Sequence, residues 1–395
     1  MRPYVRLEVY FWITILLLPV AVTDAQAPPK PTCLRMLLHD PPSWVSSGAW
    51  SRDSSVLFLV DILNEKLSPI SLGGSPLPAI QKIKGIDRFS PSLLKNSSTG
   101  FTLENIDGEL HWLDDDFHMI RSLNLLGLKN AEGMVIESVW DWADAGRELV
   151  AFSDVSVQSG GRGDGLGAFL RIPVEEPSKF ETIDWINLED SGRKLYFLLG
   201  HHYFAETNSA AYFVAMRGIS DLFEIRRLTS KSPDFPLLDT EDPPPKAYSL
   251  TNVLPRFDVP PFIPWDSFKS FRDKYQYLNT VDMLVGIFGR GDSLVALIRQ
   301  SEHGVTSWLI ERIASKADFR QNSTLTLPST APNILTFPGA KYWGFLEIGP
   351  IEVPGILAVE SLLLIPAGWI EESGTAEIVS PPLECAVVDS LSSKP

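Results

Sequence analysis

The sequence predicts an all-β fold, a β-propeller in which four-stranded units follow one another around a ring. Three observations predict it: a turn-and-strand phrase recurs along the chain, its clear copies are evenly spaced, and sustained helical periodicity is confined to one segment. A supersecondary unit repeated at a fixed interval indicates an array built unit by unit. We expect six blades and leave seven open.

The phrase is an apolar or aromatic stretch, a short turn of Asp, Ser or Gly, and a strand with apolar residues on both faces. Its copies cover residues 50–59, 142–152 and 189–197, with a looser copy at 288–297. The first four units begin about 45 residues apart, which is the length that four short strands and their turns need. The spacing therefore predicts one blade for each unit.

The second unit shows the pattern inside a blade. Residues 101–104 form a predicted strand, Asp107-Gly108 a tight hairpin turn, and residues 109–113 the returning strand. Three consecutive aspartates at 114–116 then turn the chain into a further strand over 117–123.

The repeat is interrupted at residues 231–278, where nine prolines lie between positions 233 and 264. Proline cannot donate to a sheet ladder, so this segment predicts an extended excursion rather than central strands. We interpret it as an insertion between blades that lies on one face of the ring. A degenerate seventh blade is the alternative.

A short helix is predicted inside the insertion, capped by Asp266 or Ser267. Its aromatic side chains would share one face with Leu278 and pack onto a neighbouring blade or the channel mouth. We leave open whether the segment is a passive clamp or a lid. The candidate ligand-binding residues are Trp265, Phe268, Phe271 and Tyr275.

The turn at residues 51–55 and the segment 190–197 resemble TolB-like propeller repeats, which carry Trp-Ser-Pro-Asp-Gly followed by Leu-x-Phe. In this chain Arg52 replaces the usual Pro, and Ser54 and Ser191 stand where Gly is usual. The resemblance implies a six-bladed ring with a central channel and no particular activity.

The N-terminus predicts an export signal over residues 1–27. Arg2 and Arg6 precede an apolar run at 9–22, and Ala25-Gln26-Ala27 offers a small-x-small cleavage pattern. An uncleaved anchor is the alternative. With cleavage, residues 28–395 form a single secreted or periplasmic propeller domain with no membrane segment in the mature form.

The two cysteines, Cys33 and Cys385, lie near opposite ends of that domain. In an exported protein such a pair predicts one disulfide, and a ring brings the two ends of its chain together. We expect the bond to hold the first and last strands in one blade. Two unpaired buried thiols are the alternative.

The formal net charge of −15 makes nucleic acid an unexpected partner, because the chain repels a phosphate backbone. We expect a monomer that binds a protein, peptide or glycan.

Four motifs suggest chemistry, and each has a structural interpretation that we favour. Gly291-Asp292-Ser293-Leu294 spells an esterase block, but His303 does not have the spacing of a base. His201-His202 would point to opposite faces of a strand. Glycine-rich residues 160–167 connect two predicted strands instead of opening a helix, and the aspartates at 114–116 are ordinary turn formers. We therefore predict no catalytic residue, metal or cofactor.

Asn96-Ser97-Ser98 and Asn322-Ser323-Thr324 are glycosylation sequons if the host modifies exported proteins. Our first hypothesis is a non-catalytic, exported binding module. The second is a hydrolase or lyase with carboxylates that converge at the mouth of the axial channel, because propellers assemble sites from residues far apart in sequence.

Overall fold

The computed structural model of the chain describes most of the predicted ring. The described residues are 33–38, 41–73, 77–144, 147–157, 166–187, 204–206, 211–215, 221–226, 246–260, 267–291, 293–302, 304–314, 322–349, 359–371 and 385–389. The predicted signal peptide at 1–27 and its alternative, an uncleaved anchor, lie outside them.

The described strands form six sheets, and in the first five of them strands that follow each other in the chain are antiparallel neighbours. The first sheet consists of β2 (Val45–Trp50), β3 (Val56–Asp61) and β4 (Lys66–Ser71). The second consists of β5 (Pro91–Ser97), β6 (Gly100–Asn105), β7 (Glu109–Leu113) and β8 (Met119–Asn124). The third consists of β9 (Met134–Asp144), β10 (Glu148–Val157), β11 (Leu166–Pro173) and β12 (Glu181–Asn187), with a short 3-10 helix at Pro177–Lys179.

The fourth sheet consists of β13 (Phe204–Glu206), β14 (Ala211–Ala215), β15 (Asp221–Arg226) and β16 (Lys246–Ser249). The fifth consists of β17 (Met283–Arg290), β18 (Ser293–Glu302), β19 (Val305–Ala314) and β20 (Asn322–Leu327). First strands of neighbouring sheets contact one another: β2 contacts β5 and β21, and β13 contacts β9 and β17. The predicted all-β propeller is confirmed.

The sixth sheet joins the two ends of the chain. Its strands are β21 (Asn333–Phe337), β22 (Tyr342–Ile348), β23 (Val359–Pro366), β1 (Leu34–Leu37) and β24 (Ala386–Asp389), in that spatial order, and helix α3 (Ala367–Glu371) follows β23. Strand β1 is antiparallel to β23 and parallel to β24. The disulfide between Cys33 and Cys385 lies directly before these two strands, so the predicted bond and its place in one blade are confirmed.

The prediction of six blades is wrong, because the described strands form five complete blades. Five sheets have four or more strands, but β2–β4 has three. A single bridge between Leu67 and Ile80 lies where a fourth strand would run. Pro78 lies two residues before Ile80, and proline has no N–H to donate to a ladder. The described strands supply no seventh sheet.

The structure also differs from the predicted boundaries of the insertion. Residues 246–249 form β16 and pair with β15, so this part of 231–278 belongs to a sheet and not to a connection. Two helices follow, α1 (Leu250–Val253) and α2 (Phe271–Leu278). The Asp273 N–H donates to Ser270 Oγ over 3.1 Å. The cap is therefore Ser270 and not Asp266 or Ser267, and the helix begins three residues after Phe268.

The predicted hairpin turn at Asp107-Gly108 is confirmed between β6 and β7. Gly108 has φ of +78°, a conformation that favours glycine. A Cβ atom at this position would lie 2.4 Å from the Leu126 side chain, so the turn excludes larger residues.

The apolar core lies between neighbouring sheets. Trp50, Leu57 and Phe337 pack between the sixth and first sheets, and Leu110, Trp112 and Trp142 pack between the second and third. The apolar faces that the strand pattern predicts are thus buried blade against blade, and polar side chains inside these interfaces stand out.

Candidate functional site

Polar side chains from β5, β6 and β9 meet between the second and third sheets. We define the Trp142 cluster as Lys95, Glu104, Asp141 and Trp142. Lys95 lies on β5 and Glu104 on β6, while Asp141 and Trp142 are consecutive on β9. Glu104 faces the third sheet because it alternates with Leu103, which packs with the first sheet. The cluster therefore places three ionisable groups in a largely apolar interface.

Asp141 is the most enclosed carboxylate of the cluster, with 1% of its side chain exposed. Lys95 Nζ binds Asp141 Oδ1, and Lys95 also donates to the Trp142 carbonyl over 2.5 Å. The Trp142 N–H donates to Oδ1 over 2.8 Å, and the Phe204 N–H donates to Oδ2 over 3.2 Å. A buried carboxylate is tolerated when a cation and several donors satisfy it. Asp141 thus connects the first strands of three successive sheets.

Glu104 has a different environment. The Trp142 indole Nε1 donates to its Oε2 over 2.8 Å, and the residue is partly buried. Burial raises the pKa of Glu104 to about 7, although the Trp142 hydrogen bond and the Lys95 charge act in the opposite direction. Asp141 raises this pKa further. Glu104 therefore gains or loses a proton close to neutral pH.

A second indole–carboxylate pair runs in the reverse direction across the same interface. Trp112 Nε1, from the second sheet, donates to Asp144 Oδ2 of β9, and Thr102 Oγ1 donates to the same oxygen over 3.3 Å. The Lys95 ammonium lies 4.6 Å from the centroid of the Trp142 ring, which adds a cation–π contact. These contacts hold the second and third sheets together.

Of the four predicted ligand-binding residues, Phe268 has a described side chain, and it does not join this cluster. Trp265 lies outside the described residues, and so do the side chains of Phe271 and Tyr275, whose backbone belongs to α2. The Phe268 ring lies 5.4 Å from the Tyr277 ring and packs beside Leu278 and Met283. Phe268 thus anchors the segment to the first strand of the fifth sheet.

The end of α2 is tied down by Arg299, a buried residue of β18. Its Nη2 donates to the Leu278 carbonyl, and its Nη1 donates to Asn279 Oδ1 over 3.2 Å. Asn279 O in turn accepts from Ser301 Oγ over 2.6 Å. Of the two alternatives for this segment, these contacts favour the clamp at its C-terminal end.

The motifs with suggested chemistry have structural roles where they are described. Ser293 begins β18, and Arg312 Nη2 donates to its Oγ over 3.3 Å. Asp114 accepts the backbone N–H of Asp116 and of His118, and the His118 hydrogen bond is the main reason why the pKa of Asp114 is lowered. Among the residues that the structure describes, no group of three or more His, Cys, Asp or Glu side chains could hold a metal ion.

Several predictions fall on residues that are not described. His201, His202, Asp292, His303 and the glycines at 160–165 lie outside the described ranges. Within those ranges, no helix has the length and apolar character that a membrane crossing needs.

Sequence reasoning missed the Trp142 cluster. One signal was available: Glu104 is a charged residue inside an otherwise apolar and neutral strand, Gly100–Asn105. Trp142 belongs to a copy of the repeated phrase, but nothing in that phrase identifies the partner of its indole. The pairing depends on which face of β6 meets β9.

No family profile and no curated protein matches the sequence. Solved structures with a similar fold include a luciferin-regenerating enzyme, with a TM-score of 0.47 and 10% identity, covering 85% of this chain and 96% of that one. A gluconolactonase from Xanthomonas campestris has a TM-score of 0.46 and 11% identity, covering 85% and 89%. The WD40 repeats of RRP9 have a TM-score of 0.43 and 10% identity, covering 86% and 99%. At these values the likeness carries no argument about activity.

Proposed function

We propose that this protein is an exported, non-catalytic propeller that binds a protein, peptide or glycan. In this proposal residues 1–27 are removed after Ala27, the propeller is TolB-like, and the mature chain is a secreted or periplasmic monomer. The disulfide between Cys33 and Cys385 supports export, because such bonds persist in oxidising compartments. The net charge of −15 speaks against nucleic acid as the ligand.

One observation carries the non-catalytic part of the proposal. Asp141, the most enclosed acid of the Trp142 cluster, receives Lys95 from β5, the Trp142 N–H from its own strand and the Phe204 N–H from β13. A carboxylate held by three donors is engaged in joining sheets and is poorly suited to accept a substrate proton. The cluster therefore supports a scaffold role.

One observation favours the alternative, a hydrolase or lyase with a carboxylate-based site. Glu104 has a pKa of about 7, and catalytic acids and bases are commonly adjusted to that range. Burial against Trp142 accounts for this pKa without any catalytic role, so we place the binding module first.

A paired experiment tests the proposal. The full chain is expressed with its own N-terminus in a secreting host, and the secreted form is screened on peptide and glycan arrays and on panels of hydrolase and lyase substrates. We expect ligand binding that is the same for Glu104→Gln and for the exposed control Glu175→Gln. Turnover that Glu104→Gln abolishes in a folded protein, and that Glu175→Gln leaves intact, would establish the enzyme instead.

A further inference from the structure

Turns between the second and third strands of a sheet carry exposed aliphatic side chains. Leu63 lies between β3 and β4, Ile106 lies between β6 and β7, and Val305 begins β19 after the turn from β18. Their exposed fractions are 56%, 59% and 62%. Turn geometry favours Gly, Asn, Asp, Ser and Pro, so it does not account for an aliphatic residue in all three turns. The matching turns of the other three sheets lie outside the described residues.

The first strands of neighbouring sheets run in the same direction. Ser46 Oγ of β2 donates to the Ser92 carbonyl of β5 over 2.6 Å, and the Leu94 N–H donates to Ser47 Oγ over 2.9 Å. Advancing along β2 therefore advances along β5. Because strands alternate in direction inside each sheet, the turns from second to third strands lie at the end of the ring where the first strands begin.

Hydrogen bonds confirm this placement. Ser90, directly before β5, accepts the Ile106 N–H over 2.9 Å and donates its hydroxyl to Glu65 Oε1 over 3.0 Å. In the fifth sheet, Arg299 lies opposite Met283, the first residue of β17, and its Nη1 donates to the Pro332 carbonyl directly before β21 over 3.5 Å. Strand β21 runs in the same direction as β2, because Trp50 at the end of β2 donates to the Phe337 carbonyl at the end of β21. Leu63, Ile106 and Val305 thus lie at one end of the propeller, which we call the aliphatic end.

The opposite end, which we call the polar end, has an ion pair between two of its turns. There Arg52, in the turn between β2 and β3, forms an ion pair with Asp115, in the turn between β7 and β8, over 3.3 Å. Both sequons also lie at this polar end, since Asn96 is near the end of β5 and Asn322 begins β20. Any glycans on an exported form would leave the aliphatic end uncovered.

Exposed acids accompany the three aliphatic residues. Glu65 follows Leu63 within the same turn, Asp107 follows Ile106, and Glu302 is the cross-strand partner of Val305. Aliphatic side chains next to carboxylates complement a surface that carries both apolar and basic side chains. Anionic lipid and nucleic acid would meet repulsion from the same acids.

We infer that the aliphatic end is the docking surface of this propeller and that its occupant is a protein segment with aliphatic side chains beside Lys or Arg. The inference rests on the proposed function and specifies its surface and partner chemistry. Exposed apolar side chains that share one surface and are rimmed by polar residues mark interaction sites.

The test uses a helical peptide with a leucine stripe flanked by lysines, a second peptide with serines in place of the leucines, and a third with glutamates in place of the lysines. The triple variant Leu63→Ser, Ile106→Ser, Val305→Thr removes the aliphatic side chains. The control variant Ile120→Thr, Val387→Thr changes exposed aliphatic residues on β8 and β24. Fluorescence anisotropy measures the affinity of each pair.

We expect the leucine–lysine peptide to bind wild type and control equally and to bind the triple variant at least about tenfold more weakly. The other two peptides should bind poorly. Equal affinity of the triple variant, or equal binding of the serine–lysine peptide to wild type, would overturn the inference. Two further results would overturn it. If wild type binds neutral vesicles and the triple variant does not, the occupant is a lipid surface. If wild type forms a dimer and the triple variant does not, the occupant is a second copy of the chain.

The two proposals fail separately. If an array ligand binds the triple variant as well as it binds wild type, the docking surface is wrong and the binding function stands. If turnover depends on Glu104, the non-catalytic function is wrong whatever the peptides show.

Discussion

Trp50 and Trp142 occupy equivalent places in two different blades. Each lies at or near the end of the first strand of its sheet, is buried, and directs its indole N–H to the preceding sheet. Trp50 donates to the Phe337 main-chain carbonyl over 2.8 Å, and Trp142 donates to the Glu104 carboxyl, also over 2.8 Å. The two interfaces share geometry and differ in the acceptor.

The difference shows how copies of one repeat can form interfaces between sheets with different chemistry. A carbonyl does not titrate, so the Trp50 interface has no acceptor whose charge changes with pH. The Glu104 carboxyl has a pKa of about 7, so the Trp142 interface changes its charge across the neutral range. We expect the stability of the Trp142 interface to depend on pH and that of the Trp50 interface not to.

The largest effect should come from removing either indole. Trp50→Ala and Trp142→Ala should each lower the free energy of unfolding by roughly 3–5 kcal/mol, because a buried ring is replaced by a cavity. The Trp50→Ala loss should be the same at pH 5 and pH 8. The Trp142→Ala loss should be greater at pH 8, where ionised Glu104 lacks its donor. Urea denaturation at both pH values measures this.

Trp308 provides the matched control, since its indole also donates to a main-chain carbonyl, that of Ala331, over 2.7 Å. Like Trp50→Ala, Trp308→Ala should lower the free energy of unfolding by the same amount at pH 5 and pH 8. Equal pH dependence of all three variants would contradict the comparison.

The next largest effect should come from replacing Glu104, the acceptor of the Trp142 indole hydrogen bond. The pKa of Glu104 is raised in the folded state, to about 7 from an ordinary value of 4.5. Its contribution to stability is therefore fully present below pH 4.5 and is lost as the pH rises through about 7. That loss amounts to about 3 kcal/mol of unfolding free energy. The Glu104→Gln side chain does not ionise, so the variant should not lose this stability and should be more stable than wild type at pH 8.

Thermal melts of wild type and Glu104→Gln at pH 5, 6, 7 and 8 measure this effect. Glu175→Gln, in an exposed side chain near the same interface, should leave the wild-type pH profile unchanged. A Glu104→Gln profile parallel to that of wild type would show that Glu104 does not titrate in this range.

The smallest effect concerns the turn that follows Trp50. Asp53 accepts hydrogen bonds from Ser51 Oγ, Ser55 Oγ and the Ser55 N–H, and these bonds lower its pKa to about 2, with the Ser51 bond first among the causes. Asp53→Ala should destabilise the protein by a small fraction of the Trp50→Ala loss. Because the pKa is lowered, the difference should be present above pH 3.8 and fade as the pH falls through about 2. A loss as large as that of Trp50→Ala would mean that the turn, and not the indole, controls this joint.

Much of the architecture could be read from the chain. The repeated phrase and its spacing predicted a propeller, and Asp107-Gly108 predicted its hairpin, because turns and alternating strands are local features. The disulfide between Cys33 and Cys385 was predicted from the apparent export signal and from the closure of a ring. The short first sheet was not predicted. Pro78 cannot donate to a ladder, but which strand lies beside it depends on how the chain packs.

By itself the sequence determined the repeat, the acidic surface and the meeting of the two chain ends, since these depend on residue type and order along the chain. Tertiary structure alone decided that Glu104 meets Trp142, 38 residues away, and that burial there raises its pKa. It also decided that Leu63, Ile106 and Val305 lie at one end of the ring. Strand alternation tells which residues share a face, but the neighbour of that face depends on how separate sheets pack.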